Sequence, residues 1–158
     1  MQESEIVKSY LASLGISFLT HKHPPVYTCE EAEKYDKNIK GIHSKNLFLK
    51  SKSNLPNFYL VIIPSDEKLN IKAIEKLLNE KLSFANEQEL KEQLKLAPGS
   101  VSIFSLIFNE KIILLLSEKI FNSDFVSFHP NINTETLELN KNDFRVFLNS
   151  LKNQRIII

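Results

Sequence analysis

Hydrophobic and polar residues follow two different periods along this chain. Apolar residues recur every three or four positions, or follow capping signals, in the segments that we predict to be helical. They alternate with polar residues, or form short apolar runs, in the segments predicted to be strands. The predicted helices cover residues 3–13, 28–35, 70–78, 86–94 and 140–152. The predicted strands cover residues 16–21, 44–51, 57–63, 82–85, 111–116, 124–128 and 134–139.

Capping signals support three of the helix starts. Thr28 and Asn86 are each followed three residues later by a glutamate, which is the pattern of a capping box. Asn140 precedes the last predicted helix, and asparagine is a favoured N-cap residue. The chain then ends in the apolar tail 156–158, which we expect to pack internally.

The order of the elements favours an α+β fold. Strands and helices are mixed without strict alternation, which argues against a purely parallel α/β sheet. A length of 158 residues is typical of one domain with a sizeable core. We therefore predict a single domain over residues 1–158.

Composition and charge narrow the possible functions. The formal net charge is +1, so any contact with RNA requires a local basic patch rather than a global attraction. The densest cluster of positive charge is formed by Lys40, His43, Lys45, Lys50 and Lys52; its alternative interpretation is a solvated strand rim. The N-terminal segment is charged and unlike a signal peptide, and the apolar runs are too short to span a bilayer. The cytoplasm is the expected location.

Several kinds of catalytic site are missing from the sequence. It has no Gly-x-Ser-x-Gly elbow, glycine-rich phosphate loop or His-Glu-x-x-His helix. The single cysteine, Cys29, excludes an internal disulfide and a zinc site built from several cysteines. A catalytic thiol at Cys29 and a metal pair formed by His21 and His23 are conceivable, but no accompanying residues support either. If the protein is a hydrolase, we expect it to use neither a protein nucleophile nor a metal or other cofactor.

The candidate chemistry centres on Lys45, near the start of the predicted strand 44–51. Three further segments accompany it: 23–28 (His-Pro-Pro-Val-Tyr-Thr), 98–102 (Pro-Gly-Ser-Val-Ser) and 128–130 (Phe-His-Pro). These four segments, in this order, resemble the YbaK/ProX family of aminoacyl-tRNA deacylases. The closest resemblance is to its PrdX-type branch, which edits alanyl-tRNA(Pro), and it covers nearly the whole chain.

The resemblance implies a fold, an activity and a site. The fold would be a mixed, partly barrel-like sheet flanked by helices. The activity would be hydrolysis of the aminoacyl ester of a mischarged tRNA by water, assisted by the ribose hydroxyl. Lys45 corresponds to the essential lysine of the family, Gly99 belongs to its substrate-binding loop, and His129 is the third candidate catalytic residue. The candidate substrate-binding residues are Val26, Tyr27, Thr28, Asn46, Ser100, Val101 and Ser102, while Asn133 and Thr134 are expected to fix the loop after His129.

Physical chemistry makes these roles reasonable. An ammonium can bind phosphate or ribose oxygens, or stabilise negative charge on the ester carbonyl. Backbone amides of the Gly99 loop can donate to the same oxygen. Asn46 follows Lys45 in the strand, so alternation points it to the opposite face and predicts a supporting role.

The sequence departs from the family at one position. Ile103 stands where the family has a proline, so we expect a freer loop, with Pro98 stiffening its other end. Alternatives therefore stay open: removal of cysteine, serine or threonine; a catalytically silent module that binds tRNA or a synthetase; or an amino-acid-sensing domain. The expected partner is the acceptor 3′ end of a mischarged tRNA, with prolyl-tRNA synthetase as a second candidate.

Overall fold

The computed structural model describes residues 3–35, 38–97 and 99–158, except for the side chains of Cys29 and Glu33. The helices are α1 (Glu3–Ser13), α2 (Cys29–Glu33), α3 (Ile71–Leu78), α4 (Glu87–Leu94), α5 (Glu118–Phe121) and α6 (Lys141–Ser150), with a 3-10 helix at Ile103–Phe108. The strands are β1 (Leu19–Lys22), β2 (Ser44–Ser51), β3 (Phe58–Pro64), β4 (Leu82–Phe84), β5 (Ile113–Leu116), β6 (Phe125–Phe128), β7 (Glu135–Asn140) and β8 (Arg155–Ile157).

The larger sheet has five strands in the order β4-β2-β3-β5-β8. Strands β4, β2 and β3 are antiparallel neighbours, whereas β3, β5 and β8 run parallel. The central strands β3 and β5 are almost completely buried, because apolar residues cover both of their faces. The sequence of a parallel strand that is buried on both faces is therefore a continuous apolar run.

The smaller sheet has three antiparallel strands in the order β1-β7-β6. One isolated bridge, between Ile42 and Val126, joins the approach to β2 with β6. Gly41 makes this close approach possible, because a Cβ on it would lie 2.4 Å from the carbonyl oxygen of Phe125, and its φ is +104°. The bridge places the start of β2 beside β6.

Two apolar clusters hold the fold together. The main cluster includes residues from both sheets and from α1, α4, α6 and the 3-10 helix. Phe104 is fully buried there and packs edge-on against Phe128 and Phe147. The second cluster covers the other face of the five-stranded sheet, where Ile74 of α3 packs with Leu49 and Val61.

The structure confirms the predicted α+β class. The strands form two sheets flanked by helices rather than a closed barrel. Every predicted helix and strand is present, with shifted ends for several of them. The sequence pattern missed the 3-10 helix, α5 and β8. The apolar tail packs internally, as expected, because β8 pairs with β5 and the amide of Ile158 donates to the carbonyl of Leu116. None of the helices in the described ranges has the length and apolar character that crossing a membrane requires.

Candidate functional site

A cleft of about 240 Å³ opens where the two sheets meet. Its lining comes from the start of β2, the end of β6, the segment before α2 and the loop before the 3-10 helix. The lining residues are Val26, Tyr27, Thr28, Ala32, Ser44, Lys45, Asn46, Gly99, Val101 and His129. Sequence reasoning named all of these except Ala32 and Ser44. A larger surface depression of about 580 Å³ beside the end of α3, lined by residues between Lys72 and Lys81, contains none of the predicted site residues.

The first wall of the cleft is the segment between β1 and α2. The amide of His23 donates to the carbonyl of Thr134, and that of Val26 donates to the carbonyl of Asn133. Both acceptors lie in the loop that leads into β7. Val26 is buried, while Tyr27 is 68% exposed at the cleft rim. The segment is therefore held along the loop after His129 by two backbone hydrogen bonds.

Thr28 ends this wall by capping α2. Its hydroxyl accepts from the amide of Glu31 at 3.1 Å, as the capping pattern predicts. The carboxylate of Glu31, however, accepts from the amide of Tyr27 and not from that of Thr28. These two hydrogen bonds hold the backbone at the start of α2, where the chain leaves the cleft.

The second wall is the first half of β2. Its neighbour β4 pairs only with the end of β2, from Leu49 to Ser51. The hydrogen bond nearest to the start of β2 runs from the amide of Ala85 to the carbonyl of Phe48. Within the described residues, no strand continues this pairing toward Ser44. The start of β2 therefore presents an open edge to the cleft.

Lys45 and Asn46 both line this wall. Lys45 is half-buried, and it forms no ion pair or side-chain hydrogen bond with any residue in the described ranges. The Oδ1 atom of Asn46 is buried and likewise has no partner among them, while its amide nitrogen lies 3.5 Å from the Ser44 hydroxyl. Alternation was expected to point Asn46 to the opposite face in a supporting role, yet it lines the cleft beside Lys45; its part in substrate binding stays a prediction.

The third wall is the loop at Gly99. The glycine has a φ of +84°, and a Cβ on it would lie 3.3 Å from the ring of Tyr27. Glycine is therefore the residue that allows this loop to close on Tyr27 without strain. Val101 follows it in the lining of the cleft. Pro98, predicted to stiffen this loop, lies outside the described residues.

Two predicted residues of the loop do not line the cleft. The amide of Ser100 is bonded to the carbonyl of Ala97, and Ser100 is absent from the lining. Ser102 is fully buried, and its hydroxyl caps the 3-10 helix by accepting from the amide of Phe104 at 3.0 Å. Ile103 is also fully buried in the main apolar cluster. Apolar packing therefore anchors the position where the family has a proline, while the expected greater freedom of the loop stays a prediction.

His129 directly follows β6 and lines the cleft together with Lys45. Its Nδ1 atom is 2.8 Å from the carbonyl oxygen of Glu135 and 3.4 Å from the hydroxyl of Thr136. The ring of His23 lies 5.7 Å away, measured between centroids, and stacks in turn on Tyr35. The contacts of Nδ1 attach the His129 ring to β7.

The predicted basic cluster does not form one patch at the cleft. Lys50 lies at the far end of β2, where its ammonium is 2.7 Å from the carboxylate of Glu89. Hydrogen bonds from Lys50 and then from the Asn86 backbone hold the pKa of Glu89 below its ordinary value of 4.5. The ammonium of Lys40 lies 5.0 Å from the centre of the Phe125 ring. Of the five clustered residues, Lys45 is the one in the cleft lining.

The conceivable metal pair gains no support from the described geometry. His21 lies 3.2 Å from the buried carboxylate of Glu138, whereas His23 lies 2.9 Å from the hydroxyl of Thr136. Across the described ranges, no group of three or more histidine, cysteine, aspartate or glutamate side chains is placed to hold a metal. The side chain of Cys29 lies outside the described part of the chain.

Comparison with known proteins places the chain in a family. Residues 23–147 match the family model of the aminoacyl-tRNA editing domain. The chain is 34% identical over 146 residues to the prolyl-tRNA editing protein ProX of Acetoanaerobium sticklandii, covering 90% of this chain and 88% of that protein. It is 32% identical over 154 residues to the mouse prolyl-tRNA synthetase associated domain-containing protein 1, covering 94% of this chain and 90% of that protein.

A solved structure supports the same fold. The crystal structure of a candidate trans-editing enzyme for prolyl tRNA synthetase superposes with a TM-score of 0.76, covering 99% of this chain and 96% of that one at 16% identity. The matched segment contains every residue that lines the cleft. The chain therefore belongs to the aminoacyl-tRNA editing domain family, also called the YbaK family.

Proposed function

We propose that this protein is a trans-editing deacylase that hydrolyses mischarged aminoacyl-tRNA, with alanyl-tRNA(Pro) as its substrate. The observation that carries the proposal is the ammonium of Lys45, which lies in a small cleft without a counter-ion among the described residues. A salt bridge there would have favoured a purely structural lysine. The proposal treats residues 1–158 as one editing domain that acts in the cytoplasm.

The reaction needs little protein chemistry, because an aminoacyl ester is already activated. Water adds to the ester carbonyl, the bond to the ribose oxygen breaks, and that oxygen leaves with a proton. Free amino acid and tRNA are the products. The ammonium of Lys45 stabilises the negative charge that develops on the carbonyl oxygen, and the backbone amides of Gly99 and Val101 are the candidate donors beside it.

Asn46 supplies a second contact with the substrate. Its buried Oδ1 has no partner among the described residues, and leaving such an atom unsatisfied costs free energy. A protonated amino group is a donor that satisfies it. We therefore assign Oδ1 of Asn46 to the α-ammonium of the esterified amino acid.

Selectivity for alanine would come mainly from the size of the cleft. One methylene group changes binding by only about 1–3 kcal/mol through attraction, so exclusion of larger side chains must do most of the sorting. Val26, Ala32 and Val101 are the apolar lining residues available for this purpose. The names of the two relatives, which refer to prolyl-tRNA and its synthetase, favour tRNA(Pro) as the carrier and prolyl-tRNA synthetase as a partner.

The decisive experiment measures deacylation of alanyl-, seryl-, cysteinyl-, threonyl- and prolyl-tRNA(Pro). We expect selective hydrolysis of the alanyl ester. Lys45→Ala should lower kcat/KM about 100- to 1,000-fold, which is the usual effect of removing one group that stabilises an oxyanion. Lys50→Ala is the matched control, since it makes the same change on the same strand at a lysine paired with Glu89, and it should keep wild-type activity.

Other results would redirect the proposal. Hydrolysis of a different amino acid would keep the chemistry and move the protein to another branch of the family. Binding of tRNA without any turnover would show a catalytically silent module. The proposed reaction uses no metal, so activity should survive exhaustive treatment with a chelator; its loss and recovery with a divalent cation would contradict that part.

A further inference from the structure

A second groove continues from the cleft along the open edge of β2. It has a volume of about 260 Å³, and residues of β2, β4 and the start of α4 line it. Asn46, Gly99 and Val101 line both the cleft and the groove. The two spaces therefore meet at these three residues, and a molecule held in the cleft can extend into the groove while it stays on the protein surface.

The lining of the groove suits an uncharged group. Among the described residues that form it, Glu87 is the only charged one. A carboxylate with no cation beside it in the lining repels phosphate, so the groove does not fit the sugar-phosphate backbone of an RNA. Most of the other lining side chains are apolar, among them Leu47, Leu90 and Val101. A flat, neutral part of the substrate fits this environment better.

One aromatic ring of the lining is left exposed. Phe84 belongs to the edge strand β4 and is 59% exposed, although it lines the groove. Exposed aromatic rings serve as platforms on which the bases of single-stranded nucleic acids stack. Stacking a base on Phe84 would remove apolar surface of both partners from water.

The open edge of β2 supplies polar partners beside this ring. The amide of Ala85 donates to the carbonyl of Phe48, so the backbone groups of Phe48 face β4. Because the direction of hydrogen bonding alternates along a strand, the N–H and C=O groups of Asn46 face the same side. No strand of the described ranges pairs with Asn46 on that side. A donor and an acceptor next to each other match the edge of a nucleobase, which offers both.

The spacing along β2 fits a single nucleoside. Phe84 pairs with Leu49, which lies four residues beyond Lys45, and four residues of a strand span about 13 Å. In an aminoacyl-tRNA the ribose that carries the ester also carries the terminal adenine. An ester held beside Lys45 therefore places this base within reach of the groove.

We propose that the groove between β2, β4 and α4 is the subsite for the terminal adenine of the substrate tRNA, and that this base stacks on the ring of Phe84. The proposal deepens the proposed function and rests on it, because the cleft must hold the aminoacyl ester. The base then contributes binding energy at a distance from the bond that breaks.

The first test follows the base directly and needs no turnover. The probe is a tRNA(Pro) acceptor stem whose terminal nucleotide contains 2-aminopurine, with alanine attached through a stable amide bond. Its fluorescence falls when the base stacks. We expect the full-length wild type and Phe84→Tyr, which keeps the ring, to quench the probe, and Phe84→Ala to lose most of the quenching.

Leu77→Ala is the matched control. Leu77 is 57% exposed, close to the value for Phe84, and it lines neither the cleft nor the groove. This variant should quench the probe as wild type does.

The second test compares deacylation of two alanyl esters, one on the natural terminal adenosine and one on a terminal ribose without a base. We expect removal of the base, or Phe84→Ala, to lower kcat/KM about tenfold. This factor equals about 1.4 kcal/mol and lies within the range for one base stacked on an aromatic ring. The two changes together should cost no more than either alone, because both remove the same contact. Phe84→Tyr and Leu77→Ala should stay within about twofold of wild type.

Three outcomes would overturn the inference. The first is quenching that Phe84→Ala leaves unchanged. The second is equal activity on the two esters, which would assign the groove to another group, such as a larger amino-acid side chain or a segment of a partner protein. The third is an equal loss on both esters in Phe84→Ala, since the ring would then act independently of the base.

Each of these outcomes leaves deacylation of alanyl-tRNA(Pro) by the wild-type protein intact. A wild type that hydrolyses no aminoacyl ester would instead refute the proposed function, while the fluorescence titration would still decide whether the base stacks on Phe84.

Discussion

The two sheets of this protein bury different kinds of side chain. The central strands of the five-stranded sheet bury almost only aliphatic residues, from Leu60 to Ile63 and from Leu114 to Leu116. The main polar group there is Tyr59, whose pKa rises to about 12 because of burial and then because of its hydrogen bond to Glu80. The three-stranded sheet buries Ser127, Thr136 and Glu138.

This difference indicates a division of labour. Aliphatic burial stabilises a sheet without specifying any chemistry, whereas buried polar groups must be matched by partners and so fix the orientation of side chains. The cleft takes Lys45 and Asn46 from the aliphatic sheet and His129 from the polar one. Three predictions test this comparison.

The largest expected effect is loss of stability in the aliphatic sheet. Ile62→Ala removes a fully buried side chain from the central strand β3 and should lower the free energy of unfolding by about 2–5 kcal/mol, measured by denaturant titration. Leu55→Ala, at a position that is 91% exposed, is the control and should change it by less than about 0.5 kcal/mol. Similar losses in both variants would contradict the assigned core.

A smaller effect is expected at the junction of the sheets. Gly41→Ala forces a Cβ to 2.4 Å from the carbonyl oxygen of Phe125, so the bridge between Ile42 and Val126 must shift. We expect the free energy of unfolding to fall by about 3 kcal/mol. We also expect weaker deacylation, because Lys45 and His129 each lie three residues beyond one partner of this bridge and both line the cleft.

Gly15→Ala is the matched control for the junction. Gly15 also has a positive φ, +74°, but nothing lies within 4 Å of the added Cβ. Gly15→Ala should lower the free energy of unfolding only by the backbone strain, about 1–2 kcal/mol, and should leave kcat unchanged. An equal loss of activity in both variants would show that the junction has no special role.

The smallest effect concerns Glu135 of the polar sheet. Burial opposes its ionisation, but hydrogen bonds from Lys8 and Ser4 and the charge of Lys8 outweigh that and lower the pKa of Glu135 below its ordinary value of 4.5. A lowered pKa in the folded state gives stability that is present above the unfolded value and is lost as the pH falls through the folded value.

Glu135→Gln should therefore destabilise the protein by about 1 kcal/mol near neutral pH. The difference from wild type should shrink as the pH falls below 4.5. Unfolding curves of both proteins over this range provide the measurement. A difference that stays constant with pH would contradict the role of the ionised carboxylate.

Sequence pattern was enough for most of the fold. The alternation in β2 and the apolar run of β3 depend on local burial, which the chain itself encodes. The capping box of α4 is equally local, since Asn86 and Glu89 exchange their bonds within one turn. The pattern failed for β8, whose three residues are too few to show a period, and for the 3-10 helix Ile103–Phe108, whose apolar run fits neither a strand nor an α-helix.

The candidate site was predicted only in part. Order and spacing of short motifs pointed to Lys45, Gly99 and His129, and all three line one cleft. The same reasoning listed Ser102 as a substrate-binding candidate, although it caps the 3-10 helix, and expected Asn46, also a candidate, to point to the opposite face, although it lines the cleft. It also missed Ala32 and Ser44, because nothing in the sequence shows which side of α2 or β2 is left uncovered.

The sequence by itself determined the α+β class, most element positions and the family resemblance, because these depend on local periodicity and on residues a few positions apart. Tertiary structure decided that the start of β2 has an open edge, that Ile103 anchors the Gly99 loop, and that Thr136 connects His23 with His129. These features join residues that are far apart in the chain. They arise from close packing between two sheets, which only the folded chain brings together.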